Sequence, residues 1–283
     1  MAKRAERPVI YFVRRAPAGT PQSDTTGPSA EPGTTEPSAG LFLTEPLRGL
    51  VDLATLLLAA PWLATAPRGD GHGVLVLPGL MASDTSTLPL RAFLGRLGYD
   101  VRGWDLGRNR GPTQTVITGL PRALLTHASR TGRPVSVVGW SLGGVYAREL
   151  ARRYPRQVRQ VITLGSPFGL KDSQMSRAHG PYQRFRHLHA DGSRLPTGEQ
   201  RARPIGVPST SVYSRLDGVV PWRSCTEPET ELHQNVEVRC SHLGFGVDPA
   251  TFWLIADRLA APPDQRSPFR PPSLLRPLYP GRR

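Results

Sequence analysis

Residues 133–153 constrain the fold more than any other stretch of this chain. They open with Val135-Ser136-Val137-Val138, an apolar and largely β-branched run. Gly139-Trp140-Ser141-Leu142-Gly143-Gly144 follows, and the spacing then turns helical through Val145, Tyr146, Leu150 and Ala151. This pattern predicts a buried strand that turns sharply at a serine and feeds straight into a helix. A turn that tight has no room for side chains two positions either side of the serine, and Gly139 and Gly143 have none. It lifts the Ser141 hydroxyl above the strand end. The Leu142 N–H is left at a helix N-terminus, where the peptide dipoles favour a developing negative charge. Ser141 is therefore the candidate nucleophile.

The 283 residues are enough to bury one good-sized core. The net charge of +14 suggests nucleic acid at first sight. Lys3 and Lys171 are the only lysines among 36 basic residues, and the arginines run along the whole chain instead of gathering with aromatics in one stripe. With no nucleic-acid motif present, no nucleic-acid partner is expected. Two cysteines, Cys225 and Cys240, do not make a disulfide scaffold. The first forty residues lack a sustained apolar core of the secretory kind. The charge-free stretch over residues 53–66 is shorter than the roughly 20 apolar residues a spanning helix needs. The expectation is a soluble, cytoplasmic protein.

In chain order, residues 1–40 read as a disordered segment, rich in Pro, Gly, Ser, Thr and Glu after a short apolar run at Val9–Val13. A helix is expected over residues 46–63. Its apolar positions Leu47, Leu50, Val51, Ala54, Leu57 and Leu58 suit packing on a domain, with docking on a membrane surface as the alternative. Strands are expected at 74–77, 101–104, 135–138 and 158–164, with helices between them, so the sheet should be parallel and covered on both faces. Residues 169–207 break the rhythm and are too long for an ordinary connection, so they read as a lid or cap insertion. Strands resume at 208–213 and 236–239, and a last helix spans 249–259. The domain is thus expected over 41–260, followed by a disordered Pro/Arg-rich tail over 261–283.

Serine needs a base to take its proton and a third group to orient that base. In doubly wound sheets such groups sit just beyond strand C-termini. Asp217 follows the strand at 208–213, and His242 follows the one at 236–239. A zinc site from Cys225, His233, Cys240 and His242 is the competing use of this region. No C-x-x-C or H-x-x-x-H spacing supports it, so neither metal nor cofactor is expected. A Cys225–Cys240 disulfide would join the two loops and contribute about 3 kcal/mol by loop entropy. A reducing cytoplasm works against it, and the pairing stays open.

The order Ser141, Asp217, His242 resembles that of the α/β-hydrolase superfamily, in particular its bacterial lipase/esterase-like members. The resemblance covers about residues 74–260. Gly-Trp-Ser-Leu-Gly-Gly, Leu-Asp-Gly-Val-Val-Pro and Ser-His-Leu-Gly carry it. It implies an α/β-hydrolase fold: a mostly parallel central sheet with helices on both faces and a lid insertion. It also implies that Ser141 attacks an acyl carbon, that His242 acts as base and then as acid, and that Asp217 holds the imidazole tautomer. One oxyanion donor would be the N–H of Leu142. The second would come from the loop after the first central strand, at Leu80 or Met81. That loop, Leu77-Pro78-Gly79-Leu80, departs from the His-Gly-Gly-Gly type of many esterases. No counterpart of the family's first two strands precedes Val74, so a short sheet is expected. The function implied is hydrolysis of small-molecule or lipid-like carboxylic esters, with peripheral membrane contact through the helix at 46–63. An acyltransferase with the same triad and a non-catalytic binding protein of the same fold are the alternatives.

Overall fold

The computed structural model describes residues 35–170, 172, 175–190, 198–262 and 267–281. Most of the segment expected to be disordered at the N-terminus, and part of the expected insertion, lie outside the described residues. In chain order come α1 (Ala39–Leu58), α2 (Ala60–Leu63), β1 (Gly73–Leu77), α3 (Leu88–Arg96), β2 (Asp100–Gly103), α4 (Gln114–Thr131) and β3 (Val135–Trp140). They are followed by α5 (Leu142–Arg153), β4 (Val158–Leu164), α6 (His179–Arg184), α7 (Gly198–Ala202), β5 (Ser209–Tyr213), β6 (His233–Glu237) and α8 (Pro249–Ala260).

The strands form one six-stranded sheet in the order β2-β1-β3-β4-β5-β6, with every neighbouring pair parallel. Among the described residues no strand precedes Gly73. Strand alternation divides the core. Val74 and Val76 of β1 join one cluster with α3 and α8, whereas Leu75 and Leu77 join another with α4 and α5. After β1 the chain winds outward to β2, then crosses back to β3 on the other side. The loops leaving β1 and β3 therefore part at their C-terminal ends, which opens a crevice there.

Three expectations are corrected. Helix α1 starts at Ala39, seven residues before Pro46, because the Ser38 side chain accepts the Leu41 N–H at 3.3 Å and caps it. Its apolar face points outward: Leu47, Leu57 and Leu58 are 65%, 73% and 82% exposed, and the residue α1 buries is Glu45. Periodicity predicts that a face exists, not which way it turns. The tail is also packed. Phe269 and Tyr279 are buried against the core in edge-to-face contact at 4.9 Å, and the Tyr279 hydroxyl donates to the Ala250 carbonyl at 2.8 Å. Two aromatics and a satisfied hydroxyl outweigh the ordering cost that the Pro-rich composition suggested.

Candidate active site

Ser141 stands between β3 and α5 with φ 53° and ψ −121°, left-handed backbone that costs a non-glycine residue about 1–3 kcal/mol. The surroundings hold it there. Its N–H donates to the Leu164 carbonyl at the end of β4, at 2.8 Å. A Cβ at Gly139 would lie 2.4 Å from the Gly143 carbonyl oxygen, and one at Gly143 would lie 2.5 Å from the Leu77 carbonyl oxygen. The sequence expectation for both glycines thus has a direct geometric cause. Leu142 opens α5 at its first position, where its N–H has no intrahelical acceptor.

The expected acid and base meet. His242 Nδ1 and Asp217 Oδ2 are 2.6 Å apart, with both side chains buried. Asp217 Oδ1 accepts the N–H groups of Val219 at 2.8 Å and Val220 at 2.9 Å, which fix the carboxylate within its own turn. Gly165, at the end of β4 with φ 51°, leaves room for them. A Cβ there would lie 2.5 Å from the Phe245 ring and 3.2 Å from Asp217 Oδ2. Ser141 is tied to Leu164 and Asp217 packs over Gly165, so the last residue of β4 and the one after it bring the nucleophile strand and the acid turn together. The Trp140 indole N–H donates to the His242 carbonyl at 3.1 Å and links the serine turn to the histidine turn. Among the described residues no hydrogen bond joins Ser141 Oγ to His242, a contact that tightens in many enzymes only with substrate bound.

Burial by itself opposes charge on His242, but the Asp217 carboxylate, through its charge and its hydrogen bond, and the Glu45 charge outweigh it. The imidazole pKa is raised above its ordinary 6.5. Cys225 and Cys240 are free, buried thiols, which settles the open pairing, and burial pushes both well up. The described residues contain no cluster of three or more His, Cys, Asp or Glu side chains able to hold a metal, and His233 Nε2 instead meets the Ile205 carbonyl at 2.9 Å.

Of the two residues expected in the β1 loop, Leu80 lines the cavity at Ser141. Met81 is corrected. Its backbone is left-handed, with φ 65°, and its N–H donates to the Asn109 carbonyl at 2.7 Å, so it has no proton to offer an oxyanion. That cavity holds about 90 Å³ and is bounded by Leu80, Ser141, Leu142 and Val145 below and by Ala178 and Tyr182 above. Arg201 also reaches it and donates to the Leu170 carbonyl at 2.7 Å. Sequence reasoning missed Glu45 altogether: its acceptor oxygens bind N–H groups in both the Asp217 and the His242 turns. Those partners lie more than 170 positions away, so no local pattern could have signalled them.

No family model matches the chain. A mouse protein, serine hydrolase BPHL, is 28% identical over 109 residues, an alignment that spans 35% of this chain and 37% of that relative's length. The structure is similar to one from the metagenome-derived lipolytic pair LipS and LipT, with TM-score 0.50 and 18% identity. That alignment covers 68% of this chain and 93% of the other. It is equally similar to the mature lipase BlEst2 of Bacillus licheniformis, with TM-score 0.50 and 16% identity, over 69% of this chain and 94% of that one. With its parallel sheet wound in this order and its serine turn directly after β3, the chain has the α/β-hydrolase fold.

Proposed function

We propose that this protein is a serine hydrolase that cleaves carboxylic esters of acyl-lipid type through an acyl-enzyme on Ser141. One observation carries the reading: a serine held in left-handed backbone on the same sheet edge as a buried, hydrogen-bonded Asp–His pair. A chain with no use for that serine has no physical reason to keep it strained. The names of the mouse relative and of the lipolytic structures agree with this chemistry.

In this mechanism His242 Nε2 takes the Ser141 proton as Oγ bonds to the ester carbonyl carbon. The oxyanion is received by the N–H groups of Leu142 and Leu80. Collapse breaks the bond to the alcohol oxygen, which leaves with the proton from His242. Water then attacks the acyl-enzyme by the same path, giving its proton to His242, and releases the acid with Ser141 restored. Asp217 holds the Nδ1–H tautomer and stabilises the imidazolium. Residues 175–190 act as the cap. One end is tied down by Arg177 N–H and Ser176 Oγ, which donate to the Val219 carbonyl at 2.9 Å and 3.1 Å. The other is tied by Ala190 N–H, which donates to the Pro112 carbonyl at 3.1 Å. Leu80, Leu142, Val145 and Tyr182 suit an acyl chain. The outward apolar face of α1 is the surface that meets a lipid interface.

The test is labelling by a fluorophosphonate, run on parent, Ser141→Ala and His242→Ala beside a nitrophenyl ester series of rising chain length. The parent should label and turn over, and both variants should fall by about 10³-fold or more. The acid limb of kcat/KM should have its midpoint above pH 6.5, because His242 must be neutral to act as base and its pKa is raised. Product formed only with an added alcohol would favour the acyltransferase. A folded parent that stays unlabelled even on lipid would favour the binding protein.

A further inference from the structure

We infer that Glu45 is a positioning residue for the Asp217–His242 pair, holding the two turns that carry it at a fixed separation from outside the sheet. The inference rests on the hydrolase reading above and assigns α1 a part in it.

The Glu45 side chain is 3% exposed. A buried carboxylate is costly unless its lone pairs are filled, and these are filled by the two turns. Oε1 accepts the N–H of Gly218 at 2.7 Å and that of His242 itself at 3.0 Å; Oε2 accepts the N–H of Leu243 at 3.0 Å. Arg48, one turn along α1, donates to Oε1 at 2.9 Å and also to the Leu216 carbonyl at 2.5 Å. Asp217 is therefore bracketed: the residue before it is bound by Arg48 and the residue after it by Glu45. His242 is bracketed in the same way, because Asp52 Oδ2 accepts the Ser241 N–H at 3.1 Å and its hydroxyl at 2.7 Å. Glycine permits this approach. A Cβ at Gly218 would lie 2.5 Å from the Leu41 carbonyl oxygen, and one at Gly244 would lie 1.8 Å from Asp52 Oδ2.

One carboxylate that bonds both turns sets the distance between them, which the Asp217–His242 hydrogen bond requires. It also places a second negative charge beside the imidazole. The charged groups facing His242 are Asp217 and Glu45, with Arg48 compensating Glu45 and Asp52 behind Ser241; Trp140 and Phe245 supply the remaining walls. Glutamine retains a carbonyl acceptor for the shared Gly218 and His242 N–H groups but loses the charge and the acceptor for the Leu243 N–H. Alanine loses both.

The experiment uses the full chain as parent, Glu45→Ala, Glu45→Gln, and Thr115→Ala as a control on the exposed side of α4. Ester turnover across pH, thermal unfolding and the downfield NMR resonance of His242 Nδ1–H are followed. Glu45→Ala should lower kcat by about 10- to 100-fold with KM within about threefold, the size of effect that a misplaced catalytic group produces. Glu45→Gln should recover part of kcat and move both the acid limb and the His242 titration to lower pH, since a charge that holds the imidazole proton has gone. Thr115→Ala should match the parent. If Glu45→Ala fails to fold, Glu45→Gln decides alone. A folded Glu45→Gln with parental kcat, acid limb and Nδ1–H resonance overturns the inference. The resonance needs no turnover, so a parent without hydrolase activity still tests Glu45, and the two failures stay distinct.

Discussion

Gly139 sits where β3 ends and the chain must pass within van der Waals reach of α5. A methyl group there meets the Gly143 carbonyl at 2.4 Å, and the obstacle is backbone, which cannot rotate away. Gly139→Ala should destabilise the protein by about 1–3 kcal/mol, the usual cost of overpacking, and should suppress labelling of Ser141. Urea unfolding alongside the fluorophosphonate assay checks this; unchanged stability and labelling would mean that the turn relaxes freely. The serine turn was legible because everything that defines it lies within six residues. Asp217 and His242 were legible for a different reason, since each is a titratable side chain directly beyond a strand end. Glu45 was not. In the sequence it is a charge interrupting an apolar run, and only folding brings it N–H groups from the far end of the chain. Met81 misled because its N–H serves the loop's own closure onto Asn109.

Helix α8 carries a titratable group at its N-cap. Asp248 accepts the Thr251 N–H and hydroxyl, both at 2.7 Å. Burial raises its carboxyl pKa from 3.8 to about 6, with the Thr251 hydrogen bonds opposing the rise. Between these values the folded state binds more protons than the unfolded chain, so this group's contribution to stability falls as pH rises from about 4 to 6. Asp248→Asn retains an acceptor for the cap and abolishes the titration. It should therefore melt about 2–4 °C or more above the parent at pH 7, and the gap should close towards pH 4. Melting curves displaced equally at every pH would contradict the assignment. At this scale the strands and the helices between them were readable from period. The direction of α1 was not, nor was the burial of Arg148 on α5. Its guanidinium pairs with Glu227 at 2.8 Å, and nothing in the even spread of arginines along the chain marked it as buried.

Taken whole, the molecule shows alternating strands and helices that fix a parallel sheet, but the order β2-β1-β3 comes from which way each crossover packs, which composition does not encode. Composition also understated the packing of residues 267–281, where a few aromatics such as Phe269 and Tyr279 outweigh many prolines. The outer face of α1 runs on into an apolar groove of about 420 Å³, whose charged lining residues, among the described ones, are Arg68 and Arg96. Exposed leucines beside arginines, on a chain of net charge +14, suit an anionic lipid surface. The protein should sediment with phosphatidylglycerol vesicles and weakly with phosphatidylcholine ones. Leu47→Asp, Leu50→Asp and Leu57→Asp together should reduce binding by about 10-fold or more. Retained binding would refute the lipid assignment, as would concentration-dependent dimers that the same substitutions disperse.

The brace between α1 and the Asp217 and His242 turns has a consequence for synthesis. Glu45 is translated early, whereas the N–H groups it holds belong to residues 218, 242 and 243. A nascent chain can already have made its serine turn and most of its sheet while the Asp217 and His242 turns still lack their brace. The Asp217–His242 pair therefore gains its brace late, after α1 has waited for roughly two hundred residues to emerge.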